Sequence, residues 1–247
     1  MTTTSAPTSP STASLASQPT TSRAALQRSA GIASLVSAGT YLVGFGLLLA
    51  HLAPEGFLDA KGDPAAALSF LLDHQLAMYL WHLVLYLVGG AAMAVLALGM
   101  HARLAPRAPG LANVGAAFGL VWSTVLLAAG MITLVGQRSV AELAATHRDQ
   151  AESTWTTLTV IHDGLGGGIE LVGALWILLV SVAALRTGLL GRGLAVQGIA
   201  VAVAGLLTLA PQVVEAGSAF GLGFIVWFVW AGLSLLRRPG HPDLATR

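Results

Sequence analysis

The feature that most constrains this chain is a set of six long apolar stretches from which Lys and Arg are absent: residues 30–52, 76–100, 111–136, 156–185, 194–210 and 213–236. Each approaches or exceeds the roughly 20 residues an α-helix needs to cross the ~30 Å hydrocarbon core of a bilayer. The alternative way to span a membrane is a closed barrel, which reads as short segments of alternating polarity, and no stretch alternates with period two for that long. The expected fold class is therefore all-α: a polytopic bundle of six transmembrane helices over residues 29–238. The fifth span is the shortest, and Pro211 and Gln212 are nearly all that separates it from the sixth, so this pair is predicted to form a tight helical hairpin. Residues 1–28 are rich in Ser, Thr and Pro and carry too little apolar mass to offset the entropy of ordering; they are expected to be a disordered tail. Residues 239–247 form a second, C-terminal tail.

Charge sets the orientation. Only 9% of the residues are charged, against roughly 25% in an ordinary soluble domain. With the N-terminus in the cytoplasm, nine of the twelve basic residues fall inside: Arg23, Arg28, Arg103, Arg107, Arg186, Arg192, Arg237, Arg238 and Arg247. Lys61, Arg138 and Arg148 remain outside, a bias consistent with the positive-inside rule. The expected arrangement has both termini cytoplasmic in an inner, cytoplasmic membrane. Two long connections, 53–75 and 137–155, then face outward. In the second, Ser139 and Glu142 have the spacing of a capping box, which predicts a short surface helix beginning near Val140.

The same composition excludes several functions. A net charge of +1 with scattered basic residues offers no surface for nucleic acid. The absence of cysteine removes disulfides, thiolate catalysis, iron–sulfur clusters and Cys-ligated zinc. The run Gly164, Gly166, Gly167 and Gly168 is not a phosphate loop, since no strand precedes it and no Lys-Ser/Thr follows.

What remains is polarity inside the membrane, where an ionisable side chain is costly and points to function. Asp163 and Glu170 lie seven residues apart in the fourth span, a spacing that puts both on one face of a continuous helix with Thr159, Gly166 and Gly173. With no Lys or Arg in any span, Glu170 needs a proton, a histidine or a bound ion for company. The second span carries a matching stripe of Gln75, Tyr79, His82 and Tyr86 ending at Gly89 and Gly90, and His82 and His162 are expected at similar depths, facing each other. Adding Glu215 from the last span, the candidate ligand-binding residues are His82, Tyr79, Tyr86, His162, Asp163, Glu170 and Glu215. The bland alternative is interhelical hydrogen bonding, worth about 0.6 kcal/mol per side chain on average.

The stretch 28–238 resembles a bacterial family of six-span membrane proteins grouped as domain of unknown function 4386. The resemblance rests on Gly44 and Gly46 in a small-residue first helix, on the pair His162 and Asp163 opening the fourth, and on the closing run Gly223, Phe224, Ile225, Val226 and Trp227 to Gly232. It implies a bacterial inner-membrane protein and carries no activity over.

The leading functional expectation is a non-enzymatic protein that binds a small molecule, an ion or a proton in an outward-facing polar cavity between the second, fourth and sixth helices, as a sensor or simple permease. It needs no cofactor. One alternative is an enzyme or redox protein: a metal-dependent hydrolase of lipid-like substrates with zinc on His82, His162 and a carboxylate from Asp163 or Glu215, or a b-type haem held between His82 and His162. Another is a partner of a second membrane protein, docking through the Gly-rich face of the sixth helix with Gly217, Gly221, Gly223, Trp227, Phe228 and Trp230.

Overall fold

The computed structural model of the chain describes residues 18–210, 212–213 and 216–237, with side chains described from residue 24 onward. The far N-terminal tail, the 239–247 tail and Glu215 lie outside the described residues. Among the described residues every regular element is helical, as the uninterrupted apolar runs require. Helix α1 (Gln18–Leu47) begins well before residue 30 and continues through a π-helical turn, Leu48–Leu52. Helix α2 (Pro64–Asp73) lies outside the bundle, started by Pro64 and by the Asp63 carboxylate, which accepts the Ala65 and Ala66 N–H groups at 3.0 and 3.2 Å. Helix α3 (Gln75–His82), a second π segment (Leu83–Val88) and α4 (Gly89–Leu104) together make one long rod. Then come α5 (Pro109–Ala144), α6 (Arg148–His162), a third π segment (Asp163–Gly167), α7 (Leu171–Thr187), α8 (Arg192–Leu207) and α9 (Ala216–Arg237).

Packing closes these helices into a ring: α1 against α4, α4 against α5, α5 against α7, α7 against α8, α8 against α9, and α9 back against α1. The centre of the ring is aromatic. Trp122, Trp176, Trp227, Phe220, Phe224 and Phe228 are fully buried, with Trp176 and Trp227 centroids 5.4 Å apart and Trp122 and Phe224 5.1 Å apart. Small residues allow the close approach of the backbones; a Cβ at Gly99 would strike Ala30 of α1. On the outside, Ile32, Leu42, Val43, Val135, Leu222 and Val226 are each more than half exposed. Such a belt would invite aggregation in water and suits a lipid-facing surface.

Five helices among the described residues are long and apolar enough to cross a bilayer: Ala24–Leu52, Gln75–Leu104, Pro109–Ala144, Arg148–Thr187 and Ala216–Arg237. The expected fifth span, 194–210, is the short apolar helix α8, about 24 Å long at 1.5 Å per residue.

Two expectations are corrected. The segment 137–155 is not a long loop, and no new helix starts near Val140: α5 runs on to Ala144, α6 begins at Arg148, and Glu142 accepts a 3.0 Å bond from Arg138 one turn earlier. The helices persist because a second apolar cluster covers them, in which Val140, Ala151 and Trp155 pack with Leu52, Leu68, Phe70, Leu71 and Met78. The fourth span is also not a continuous helix over 156–185. It breaks between His162 and Leu171, where Gly166 adopts φ +107°, a left-handed conformation that residues with a Cβ rarely take.

Candidate functional site

The break in the fourth span creates the site. A π turn widens the helix at Asp163–Gly167, and residues 168–170 leave helical geometry before α7 restarts with Glu170 as its N-terminal flanking residue. Backbone groups freed inside a membrane must find partners. The Gly168 and Ile169 N–H groups donate back to the Asp163 carbonyl at 3.1 and 3.3 Å. The Glu170 N–H donates to the Thr208 hydroxyl at 2.9 Å, which in turn donates to the Gly205 carbonyl at 2.6 Å. The end of α8 thus anchors the gap in its neighbour.

Two cavities meet at this break. The outer one, about 560 Å³, lies beneath the 57–67 segment; its polar lining includes His82, Tyr86, Thr133, His162, Asp163 and Lys61, and its walls carry Phe57, Phe70, Trp81 and Trp155. The inner one, about 140 Å³, is lined by Glu170, Tyr41, Tyr86, Phe45, Gly217 and Gly221 among others. Leu48, Trp81, Tyr86 and Gly167 line both. All three π segments contribute a residue at the shared wall: Leu48, Tyr86 and Gly167. Wide π turns of this kind recur at functional positions.

A three-ring cluster stands between the cavities. The centroids of His82 and His162 are 5.2 Å apart edge to face, Tyr86 lies 4.6 Å from His162, and Tyr86 stacks on His82 at 5.8 Å. His82 is buried, and its Nδ1 lies 2.7 Å from the Met78 carbonyl. A carbonyl only accepts, so Nδ1 carries the proton and donates, leaving Nε2 as an acceptor. The Gln137 side-chain amide lies 3.0 Å from the same Nδ1. The atom facing it is Nε2, and the Gln137 Oε1 is buried without a partner among the described residues. His162 Nδ1 pairs with the Thr133 hydroxyl at 3.0 Å. A Cβ at position 167 would collide with the His162 ring, so glycine is what lets this imidazole lie across the break.

Of the residues singled out from sequence, His82, His162 and Asp163 line the outer cavity, Glu170 the inner and Tyr86 both. Asp163 and Glu170 therefore do not share one stripe, because the break between them ends the helical phase. Tyr79 lines neither cavity and is 43% exposed. The π segment that follows His82 has wider turns, so Tyr79 and Tyr86 lose the common face that a regular helix would give them. The outer cavity is also not built between the second, fourth and sixth helices: the 57–67 segment and α5 line it with helices two and four, and α9 lines only the inner one. Thr133 and Tyr41 were not singled out in the sequence, Lys61 was read only for orientation, and Gln137, noted as a polar residue just beyond the third span, was not placed in the candidate site.

Among the described residues no three or more His, Cys, Asp or Glu side chains come together as a metal would require, so His82, His162 and Asp163 do not form an assembled zinc set; Glu215, the other carboxylate considered, lies outside the described residues. Two axial imidazoles must leave room for a haem plane between them, whereas these rings lie 5.2 Å apart edge to face. The α9 face read as a partner surface is largely used within the chain: Gly221 abuts Phe45 and Tyr41, Gly223 abuts Val201, and Trp227 and Phe228 are buried. Trp230 alone of its aromatics is exposed, at 43%.

A ring of long apolar helices with a lipid-facing belt defines an α-helical, multi-pass integral membrane protein. The chain belongs to the family described as domain of unknown function (DUF4386), whose model matches residues 29–237. No curated protein and no solved structure matches it.

Proposed function

We propose that the protein crosses the inner membrane six times with both termini cytoplasmic, and binds a small molecule, ion or proton from the outer side, as a sensor or simple permease. The observation that carries this reading is the broken fourth span, with an acid at either end of the gap and a cavity beside each acid. Irregular backbone at membrane depth is tolerated where it is buried in protein or lines a water-filled cavity, and discontinuous helices are a recurrent basis of substrate and ion sites in transporters. The six-span count is supported by α8 occupying its own position in the ring between α7 and α9, and the orientation by the distribution of Lys and Arg.

The chain has no cysteine, so single thiols can be introduced without background. Thr159→Cys, on the outer cavity wall, reacts in intact spheroplasts with a membrane-impermeant maleimide, while Gly191→Cys, exposed just before α8, does so only after permeabilisation. Reporter fusions after Arg107 and after His147 report cytoplasm and outside respectively. Labelling of Thr159→Cys only after the membrane is permeabilised, or both fusions on one side, overturns the outward-opening reading.

A further inference from the structure

The lining of the outer cavity specifies more than an unnamed ligand. Resting on the reading above, we infer that this cavity takes an organic cation, an ammonium group on an apolar body. Two polar groups of its lining are acceptors with no hydrogen-bond partner among the described residues: the Asp163 carboxylate and the Nε2 of His82, whose Nδ1 proton is committed to the Met78 carbonyl. A carboxylate and a bare imidazole nitrogen call for a donor, and an ammonium offers three. Beside Asp63, Thr133, Thr156 and Thr159, the remaining walls carry the rings of Phe57, Phe70, Trp81 and Trp155, aromatic surface of the kind that attracts cations and covers a hydrocarbon body. A volume of about 560 Å³ lies within the range of drug-sized ligand sites.

The protein supplies its own example of this chemistry. Lys61, an alkylammonium on an apolar stem, lines the same cavity, holds its Nζ 5.4 Å from the Phe57 ring centroid and interacts electrostatically with Asp163. It is exposed and sits on the turn that follows Gly56, so it can withdraw into solvent as a ligand enters. Lys61 thus acts as a tethered competitor for a free cation of the same kind. The alternative, in which Lys61 instead recruits an anion, places a carboxylate or phosphate beside Asp163 and the bare His82 nitrogen, two acceptors that repel it.

The test uses the full chain in lipid nanodiscs and three probes of one shape: phenylbutylammonium, phenylbutanol and phenylbutanoate. Binding is read from the fluorescence of the wall tryptophans and from thermal unfolding. The ammonium is expected to bind at least about tenfold more tightly than the alcohol, the scale of one charge-assisted hydrogen bond, and the carboxylate more weakly still. Asp163→Asn removes the preference for the ammonium while leaving alcohol binding in place, which also shows the variant to be folded. Lys61→Met strengthens ammonium binding. Equal binding of ammonium and alcohol, tighter binding of the carboxylate, or a preference that survives Asp163→Asn overturns the inference and leaves the cavity reading standing. Failure of all three probes to bind overturns both.

Discussion

Gly166 is where the account can be tested with the smallest perturbation. Its φ of +107° and ψ of 17° lie in a region that costs an L-residue about 1–2 kcal/mol, and nothing approaches the position of its missing Cβ within 4 Å. Gly166→Ala therefore meets no steric obstacle, and its whole cost is conformational. Gly164, two residues earlier in the same π segment, also has open space around it, but its φ is not in the positive region. There Gly→Ala gains up to about 1 kcal/mol by restricting the unfolded chain and favouring helix. The two single-methyl variants should thus differ by about 1–3 kcal/mol with opposite signs. SDS titration of the full chain in mixed micelles, followed by far-UV circular dichroism, measures both against the parent. If Gly166→Ala proves as stable as Gly164→Ala, the left-handed turn is absent and the fourth span is an ordinary helix.

The remaining expectations concern burial. Glu170→Gln preserves the fold, since an amide occupies the same volume and Glu170 has no cationic partner lining its cavity, whereas Glu170→Lys lowers the yield of inserted protein, a charge at that depth costing about 2.5–3.5 kcal/mol; size-exclusion profiles of the two variants separate these outcomes. Gly99→Val forces α4 away from Ala30 of α1 and costs about 1–3 kcal/mol, read by the same SDS titration. Gly167→Ala moves the His162 ring and breaks its pairing with Thr133, which the imidazole resonances of a selectively labelled sample report as a changed His162 environment, while the His82 Nδ1 proton stays hydrogen-bonded to the Met78 carbonyl.

Much of the architecture was legible because the bilayer imposes it. Apolar runs long enough to span hydrocarbon, without Lys or Arg, admit little other than helices, and the meeting of His82 with His162 followed from equal distances to the outer ends of their spans. What sequence did not disclose was helix phase. A seven-residue interval says that Asp163 and Glu170 share a face only if the helix between them is regular, and π turns are written in no simple residue pattern. The four glycines from 164 to 168 were the visible trace of the break, compatible equally with a close neighbour. Tyr79 lies away from both cavities for the same reason, through the π segment after His82. The extension of α5 and α6 beyond the membrane was hidden because it depends on tertiary cover: Val140 and Trp155 remain helical and buried only because α2, far away in sequence, lies over them.

Amide hydrogen exchange across the fourth span, read by mass spectrometry on the full chain in nanodiscs, tests the central claim most directly. If the span is broken and its gap borders water-filled cavities, amides in 164–169 exchange within minutes while those of the buried stretch 173–184 remain protected for hours. Uniform protection from 156 through 185 would mean one intact, water-free helix, and would contradict the account.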